Sequence, residues 1–519
     1  MKGDSLRIGV FTLCAFIALG AWLLLQPKVQ PDPAGIAAAQ LQQQLQSLDL
    51  LRHLPSLQAR LEAGERQTPQ SLDEHFQGFL NLLTHRSGLV RLNAATALTD
   101  LYGKRAAPYL IMALQFELAF SGGQSHIEAL QRLSGKAFER QWRLWYQWWW
   151  GERAQLPPPG FSEWISTMYS GFIPSFAQVL APDRARRIEL HQVMWGQVAL
   201  DEIEALNHPS IVSAEEALQT LLEDEMVFGV EINGETRAYP LRYLDVHELL
   251  NDTVGGRPIL LSFCTLCGSA VLFDRELEGE VHSFGNSGLL FQGNKLMFDR
   301  TAYSLWSNIY GKSLIGPMSQ EDVALNRYPL TQTTLAQWMA LHPETGVLFI
   351  QPSELAQDPR FITSGVDQYE PGAAYGDYRQ DDQALYPVIA QDDRLAAKDW
   401  VFGIVIGERS KAYAMAALSQ KPVLNDSLGN TDLVLLTEAV PESSDLWKQG
   451  GAVRAYLRQG HTFRMDHDQL LDERNQVWEL TESALVNPST QERLERVVGE
   501  KAYWFAWYEF YPETLVYQD

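Results

Sequence analysis

The chain has 519 residues, which is too long for one hydrophobic core and indicates about three domains. Its 41 lysine and arginine residues stand against 64 aspartate and glutamate residues, giving a formal net charge of −23. Because so acidic a surface repels phosphate, the composition excludes nucleic acid as an expected partner.

An apolar run near the N-terminus predicts a membrane anchor. Residues Ile8 to Leu25 are apolar apart from Thr12 and two glycines, and this run is just long enough to span a bilayer. Lys2 and Arg7 precede it, so the positive-inside bias places the bulk of the chain outside the cytoplasm, on the periplasmic side. We predict a single-pass anchor in the cell membrane over residues 1–27. The alternative is a cleaved signal peptide, although no small-x-small site ends the run sharply.

Helical periodicity follows over residues 35–150. Within it, the stretch from Val90 to Leu110 resembles a HEAT repeat, in which paired helices stack into a solenoid. We therefore predict a HEAT-like α-helical module here. The stretch Pro157-Pro158-Pro159-Gly160 cannot continue a helix. It indicates a Pro-rich linker, together with the residues that join it to the next domain, over residues 151–185.

An internal repeat organises the remainder. At one constant offset, Val227-Phe228-Gly229 recurs as Val401-Phe402-Gly403 and Leu250-Asn251-Asp252 recurs as Leu424-Asn425-Asp426. Near the end of each copy, Trp338 and Pro343-Glu344-Thr345 recur as Trp507 and Pro512-Glu513-Thr514, with the same spacing inside the motif. Short β-rich runs and turns such as Asn233-Gly234 characterise both halves. We predict an α+β fold in which a β-rich domain is duplicated, with copy one over residues 186–355 and a degenerate copy two over residues 356–519.

Reactive residues that occur in one copy only are candidates for a functional site. Copy one alone has His247, Cys264 and Cys267, where copy two has residues without a thiol or imidazole: Lys421, Glu438 and Pro441. The two cysteines follow an apolar run, so we expect them where a strand turns. His247 is expected on a helix from Leu241 to Asn251.

Three chemistries suit the Cys264-x-x-Cys267 pair. Two thiolates can share a metal, with zinc or copper as the plausible ions from ligand softness, and His247 as the first further ligand. The pair can instead cycle between dithiol and disulfide. It can also be a structural, inert pair. A four-cysteine zinc site is excluded, because the third cysteine, Cys14, lies in the apolar run.

Several polar residues near these positions are supporting candidates. The turn-like stretch Phe284 to Gly288 could form an anion-binding nest or a plain hairpin loop. Asp299 and Arg300 with Trp306 could be functional or a structural ion pair beside a core aromatic ring. The full set of supporting candidates is Asn251, Ser269, His282, Ser287, Asp299, Arg300 and Trp306.

Together these residues amount to a family resemblance. The region from Arg184 to Asp519 resembles the domain-of-unknown-function family numbered 3179, on motifs distributed over its whole length: Trp195-Gly196, Asp201, Val227-Phe228-Gly229, Ala238-Tyr239-Pro240, His247-Glu248-Leu249, Asn251-Asp252, Cys264 to Ser269, Phe284 to Leu290, Asp299-Arg300, Ser304-Leu305-Trp306, Gly376-Asp377-Tyr378 and Pro512-Glu513-Thr514. The resemblance implies an exported, membrane-associated protein and carries over no catalytic residue.

Two hypotheses for function follow from the sequence. In the first, a membrane-anchored extracytoplasmic protein uses Cys264, Cys267 and His247 for metal binding or thiol redox chemistry. In the second, the chain is a noncatalytic scaffold of the cell envelope that binds a protein partner through the helical module, because solenoids present concave binding surfaces.

Overall fold

The architecture is α+β, with a helical N-terminal region before two β-rich units. The computed structural model describes residues 69–85, 87–120, 123–151, 157–351, 369–438 and 451–517. We call the β-rich part from residue 193 to 348 the first unit and the part from residue 400 to 517 the second unit. Residues 369–399 form the connecting segment between them.

The predicted membrane anchor falls outside these ranges. Ile8 to Leu25 is not among the described residues. No helix within the described ranges has both the length and the apolar character needed to cross a membrane. The anchor therefore stays a prediction.

The N-terminal region is built from short helices that glycines terminate. Gly103 and Gly135 adopt positive φ angles of 55° and 69° immediately after two of them, a conformation that costs glycine little. Buried alanines in the second helix permit close packing of its neighbours. The α-helices are Pro69–Leu82, Gly88–Tyr102, Ala107–Phe120, Gln124–Ser134, Trp142–Tyr146, Phe161–Phe172 and Ala177–Leu180, with short 3₁₀ or π turns at Gly103–Ala106, Gln147–Gly151, Pro174–Phe176 and Leu190–Gln192.

These helices share one hydrophobic core with the first sheet. The ring of Phe116 stacks between Phe172 and Trp195, with ring centroids 4.6 and 4.7 Å away. The side chain of Gln115 also accepts the backbone N–H of Trp195 at 3.0 Å. Burial of apolar surface across this boundary makes the helical region and the first unit one packed body. The HEAT-like character of the helical region stays a prediction. The linker over residues 151–185 stays one as well, and this range contains the helix Phe161–Phe172, most of whose residues are buried.

The first unit contains three five-stranded sheets among the described residues. The sheet that meets the helices consists, in spatial order, of Val193–Trp195, Phe284–Phe291, Asn294–Asp299, Ser304–Ser307 and Ser313–Ile315. The second consists of Arg327–Tyr328, Ser269–Asp274, Arg257–Cys264, Leu249–Val254 and Leu206–Asn207. The third consists of Thr331–Thr334, Met226–Ile232, Glu235–Pro240, Gly346–Leu348 and Ile211–Ser213. Short helices lie at Ala214–Ala217, Leu241–His247, Pro317–Gln320 and Leu335–Leu341, and a small ribbon pairs Glu276–Leu277 with Glu280–Val281.

The second unit has a four-stranded and an eight-stranded sheet within the described residues. The former consists of Gly499–Tyr503, Trp400–Ile406, Arg409–Ala414 and Leu515–Val516. The latter consists of Val423–Leu428, Thr431–Glu438, Ala452–Leu457, Arg493–Val497, Ala484–Val486, Val477–Leu480, Gln469–Leu471 and Arg464–Asp466. Helices lie at Met415–Leu418 and Trp504–Phe510, and the connecting segment carries Gly376–Gln380.

The two units follow the same chain path from the strands Met226–Ile232 and Trp400–Ile406 through the next hairpin, and again at their last helix and last strand. In each, a hairpin leads to a short helix and a second hairpin, and a strand near the end returns to pair with the first hairpin. The final strand of each unit lies parallel to the second strand of that hairpin. The repeated sequence motifs therefore occupy repeated places in the structure.

A tryptophan against a glycine anchors both units. The Trp338 indole N–H donates to Thr345 Oγ1 at 2.9 Å, and the Trp507 indole N–H donates to Thr514 Oγ1 at 3.0 Å. A methyl group added to Gly229 or Gly403 would come within 2.2 Å of the facing indole ring. The repeated glycines are needed because the tryptophan ring occupies the space of a side chain.

This packing predicts matched defects in the two units. We expect Gly229→Ala and Gly403→Ala each to lower the free energy of unfolding by about 1–3 kcal/mol or more, because the added methyl overlaps a buried indole ring. Gly376→Ala is the control, since no atom lies within 4 Å of its added methyl. Thermal unfolding of the three variants measures the effect. Equal melting of all three would contradict the anchoring role.

Candidate dithiol site

The two cysteines lie on a tight turn between antiparallel strands. Cys264 ends the strand Arg257–Cys264 and pairs with Ser269, the first residue of the next strand. The Cys267 amide donates to the Cys264 carbonyl at 3.1 Å, and Gly268 follows with a φ of +63°. The predicted position of the pair at a strand turn is confirmed.

Both thiols are buried and lie beside each other. Cys264 is 2 % exposed and Cys267 is fully buried. The two cysteines approach to 3.2 Å and both are free thiols, and a hydrogen bond joins their side chains. A disulfide bond is about 2.05 Å long, so oxidation of this pair by an external oxidant would require only a small displacement.

The surroundings give the two thiols opposite acidities. Burial disfavours the Cys264 thiolate, but the hydrogen bond from Cys267 and the amide and ammonium groups of Lys295 outweigh it, and they lower the pKa of Cys264 below its ordinary value. Burial and the neighbouring Cys264 raise the pKa of Cys267 well above its ordinary value. The Cys267 sulfur also lies 3.3 Å from the carbonyl oxygen of Gly293, which is an alternative acceptor for its single hydrogen. Of the two thiols, Cys264 is therefore the one whose deprotonated form is favoured, and Cys267 is the one that keeps its proton.

A buried ion pair supplies the positive charge at this site. The ammonium of Lys295 donates to the carbonyls of Glu248 and Phe263 at 2.9 and 3.3 Å, and it lies 3.4 Å from the Glu248 carboxylate. Tyr375 donates to the other carboxylate oxygen at 3.0 Å. Burial lowers the pKa of Lys295, while Glu248 and Cys264 oppose this effect. The charges of this group are thus mutually compensated under the cysteine turn.

The connecting segment and the second unit cover the turn. The Tyr378 hydroxyl donates to the Leu266 carbonyl at 2.6 Å, and the Tyr503 amide donates to the Cys267 carbonyl at 2.8 Å. The ring of Trp400 packs against Gly268 so closely that a methyl there would lie 2.4 Å from it. The second unit therefore closes the thiol site of the first.

A cavity of about 410 Å³ lies outside this cover. Tyr378 and Tyr386 of the connecting segment line it on one side, and Gln115 and Trp142 of the helical region line it on another. Tyr378 borders both the cavity and the cysteine turn.

His247 is engaged elsewhere. Its Nδ1 lies 2.7 Å from the Glu204 carbonyl and its Nε2 lies 2.8 Å from the Tyr369 hydroxyl. Within the described residues, the ligand atoms of Cys264, Cys267 and His247 do not come together within 4.8 Å. The helix ends at His247, not at Asn251, because Glu248 adopts a φ of +58° and the chain enters a strand.

Three other candidates hold the backbone together. Asn251 donates to the Phe284 carbonyl at 2.8 Å and accepts the Phe284 amide at 3.0 Å. Ser287 donates to the Leu296 carbonyl at 2.6 Å, within a strand with an irregular register and not in a hairpin loop. Ser269 is near the thiols and accepts a hydrogen bond at 3.1 Å from Asn294, whose side chain also contacts Cys267.

The remaining candidates form two structural groups. His282 Nδ1 lies 2.8 Å from Asp299 Oδ2, with both residues buried. Arg300 makes a two-point ion pair with Asp201 at 2.7 and 2.8 Å. The Trp306 ring is fully buried and edge-on to Phe284. None of these contacts includes a thiol, so the structure separates this group from the dithiol.

Sequence reasoning did not select Lys295, Glu248, Tyr375 or Tyr378 as site residues. Glu248 and Tyr378 belong to motifs of the family resemblance, which was the signal that could have drawn attention to them. Lys295 had no such signal, although a lysine directly before the apolar run Leu296-Met297-Phe298 of the strand Asn294–Asp299 is a candidate for a buried charge.

The fold and the site define an α+β protein with a buried dithiol at the junction of two related β-rich units. The chain belongs to the family described as Protein of unknown function (DUF3179), which matches residues 200–514. This match confirms the resemblance seen in the sequence, and it spans both units. Comparison with curated proteins and with solved structures gave no match.

The Lys295 charge can be tested by titration. We expect Lys295→Met to raise the pKa of Cys264, because the cation that favours the thiolate is removed. Ultraviolet thiolate absorbance measures this pKa, with Cys264→Ser as the blank. Lys312→Met, at an exposed lysine, is the matched control. An unchanged titration in Lys295→Met would contradict the assigned role.

The same variant should change how stability depends on pH. Because folding lowers the pKa of Cys264, the thiolate adds stability above the ordinary thiol pKa. That stability is lost as the pH falls through the lowered value. In Lys295→Met the midpoint of unfolding should depend less on pH over this window, whereas in Lys312→Met it should depend on pH as in the parent chain.

Proposed function

We propose that this chain is a thiol-redox protein in which Cys264 and Cys267 cycle between dithiol and disulfide. The observation that carries the proposal is the hydrogen-bonded approach of the two cysteines to 3.2 Å. Lys295 supports it by favouring the Cys264 thiolate, which is the nucleophile in thiol exchange.

The reaction transfers two electrons from the protein to a substrate disulfide. The Cys264 thiolate attacks one substrate sulfur, so the substrate S–S bond breaks and one substrate thiolate leaves and takes up a proton. Cys267 then loses its proton to solvent or to the leaving thiolate and attacks the Cys264 sulfur. This step releases the second substrate thiol and leaves a Cys264–Cys267 disulfide. The reverse sequence oxidises a substrate dithiol.

The charge balance of the site favours redox chemistry over metal binding. A metal thiolate site needs further ligands, and His247 holds the Glu204 carbonyl and the Tyr369 hydroxyl instead. The nearest carboxylate, that of Glu248, is paired with Lys295 and Tyr375. A zinc or copper ion would have to displace these partners, whereas disulfide formation leaves them in place.

The cavity beside Tyr378 is the proposed route to the thiols. Arg140, Arg143 and Asp381 give it both signs of charge, and Trp142 and Tyr386 add aromatic surface. A small disulfide or a disulfide-bearing loop fits a space of about 410 Å³. Catalysis then requires Tyr378 to release the Leu266 carbonyl.

The chemistry suits an anchored protein outside the cytoplasm. Dithiol and disulfide pairs turn over in oxidising compartments, and the apolar run at Ile8 to Leu25 with its preceding positive charges is the basis for that location. The helical region contributes one wall of the cavity, so a role as an independent scaffold has less support than a role at the thiol site.

Thiol counting tests the proposed redox cycle. We expect the oxidised full chain to lose two reactive thiols and regain them on reduction, because the sulfurs are placed to bond. Mass spectrometry after alkylation of the denatured chain measures the change, and equilibration with glutathione buffers gives the reduction potential.

Three variants separate the possible outcomes. Cys264→Ser and Cys267→Ser should each abolish the reversible loss, whereas Cys14→Ser should retain it. Metal that copurifies with the parent and is lost in both site variants would favour the metal hypothesis. Two thiols that resist every oxidant in the folded chain would support an inert structural pair.

The location has its own test. We expect a reporter that works only outside the cytoplasm to be active when fused after Asp519, and the chain to stay with membranes in high salt. A reporter active only in the cytoplasm would contradict the anchored, exported topology. Replacing Lys2 and Arg7 with glutamate should weaken the orientation, while Lys104→Glu, in the helical region, should leave it unchanged.

A further inference from the structure

A histidine cluster in the second unit corresponds to the His282 group of the first. In both units an asparagine holds the backbone of a phenylalanine: Asn251 holds Phe284, and Asn425 holds Phe463 at 2.7 and 2.8 Å. A histidine stands two residues before each phenylalanine, namely His282 and His461. Each histidine faces an aspartate whose Oδ1 accepts two backbone amide hydrogens, namely Asp299 in the first unit and Asp472 in the second. A tryptophan also packs edge-on against each phenylalanine, Trp306 in the first unit and Trp478 in the second.

The two clusters differ at the imidazole Nδ1. In the first unit, His282 Nδ1 lies 2.8 Å from Asp299 Oδ2, a direct hydrogen bond. In the second unit, His461 Nδ1 lies 3.9 Å from Asp472 Oδ2 and 3.4 Å from Glu473 Oε1. This nitrogen is buried and has no hydrogen-bond partner. The whole residue His461 is only 9 % exposed, so bulk water does not readily supply one. In the first unit the imidazole Nδ1 therefore has a hydrogen-bond partner, whereas in the second unit it has none.

The contact of His461 Nε2 determines what the unpaired Nδ1 can do. His461 Nε2 lies 3.2 Å from Glu492 Oε1, and a hydrogen bond donated there leaves Nδ1 as the ring atom that can bind a cation. The Nδ1 lone pair then faces two carboxylate oxygens. Three electron-rich atoms in a buried position repel one another unless a cation lies between them.

The carboxylates are held in position by other hydrogen bonds. Asp472 Oδ1 accepts the Arg474 and Gln476 amides, each at 2.8 Å, and its Oδ2 accepts the Trp478 indole N–H at 3.1 Å. Glu473 Oε2 accepts the Thr462 amide at 3.0 Å. Each carboxylate therefore keeps a fixed orientation, with Asp472 Oδ2 and Glu473 Oε1 on the side of His461 Nδ1.

We propose that His461, Asp472 and Glu473 bind a divalent transition-metal cation, with zinc as the best match. Their ligand atoms lie within 4.8 Å of one another, and the edge of a tetrahedral zinc site with nitrogen and oxygen ligands is about 3.3 Å. The Nδ1 to Oε1 distance of 3.4 Å already fits, and the Asp472 distance needs only a small contraction. Glu473 is 40 % exposed, which leaves the fourth position open to water.

Two further features match a zinc site. The contact from Glu492 to the distal nitrogen of His461 is the carboxylate–histidine arrangement that orients zinc ligands. The ligands also stand at the two ends of one hairpin, since His461 precedes the strand Arg464–Asp466 and Asp472 follows the strand Gln469–Leu471. A bound cation would hold the base of this hairpin closed. The site is separate from the dithiol and does not depend on its function.

Zinc titration of the full chain in detergent tests the proposal. The parent for this test carries Cys264→Ser and Cys267→Ser, so that thiols do not bind the probe. In this parent, Glu473→Gln removes one ligand of the proposed site. Glu408→Gln in the same parent, at an exposed turn, is the matched control. We expect Glu473→Gln to weaken one zinc site about tenfold or more, since its coordination loses an anionic ligand, and the control to leave that site unchanged.

Thermal unfolding separates lost binding from lost folding. Zinc should raise the melting temperature of the parent and of Glu408→Gln but not of Glu473→Gln, because only a native-state ligand stabilises the fold. His461→Gln should behave as Glu473→Gln does. Zinc affinity that is equal in Glu473→Gln and the control would overturn the proposal, and so would a parent that binds no zinc and holds His461 as an imidazolium ion.

Discussion

The ammonium of Lys295 is the charge on which the thiol site depends. It is 5 % exposed, and a buried cation is stable only when anions and carbonyl dipoles compensate it. Glu248 supplies the carboxylate, and the carbonyls of Glu248 and Phe263 supply the dipoles. The same positive charge lowers the pKa of Cys264. Glu248 thus keeps the lysine stable inside the protein but opposes the Cys264 thiolate, which the hydrogen bond from Cys267 and the amide and ammonium of Lys295 favour.

Compensation of this kind requires a closed site, and the second unit provides the closure. Trp400 and Tyr503 lie against the cysteine turn from the second unit, and Tyr378 lies against it from the connecting segment. In water these charges would be screened and the effect of Lys295 on Cys264 would be small. A unit without thiols therefore still shapes the thiol site of the other unit, because it excludes solvent from that site.

Duplication also shows which polar residues belong to the common fold. Asn251 and Asn425 make the same backbone clamp, and a histidine facing an aspartate occurs in both units. Residues of the first unit that recur in this way, including His282, Asp299 and Trp306, are explained by folding. What remains specific to the first unit is the dithiol with its lysine. What is specific to the second is the unpaired Nδ1 of His461 beside Glu473.

The sequence by itself determined the features that depend on neighbours along the chain. Asn233-Gly234 indicated a hairpin, the apolar run before Cys264 indicated a strand that turns there, and repeated motifs indicated two related units; each is present. These follow from backbone propensity and side-chain alternation, which are local. The helix predicted to reach Asn251 ended earlier, since the strand pairing of Leu249 to Val254 outweighed local periodicity.

Only the tertiary structure decided which groups meet the thiols. Lys295, Glu248 and Tyr378 come from three elements far apart in the chain, and His247, which is near in sequence, faces Glu204 and Tyr369 instead. Acidity depends on distance in space and on burial, and neither quantity is set by spacing along the chain. Packing of the two units around the cysteine turn set both.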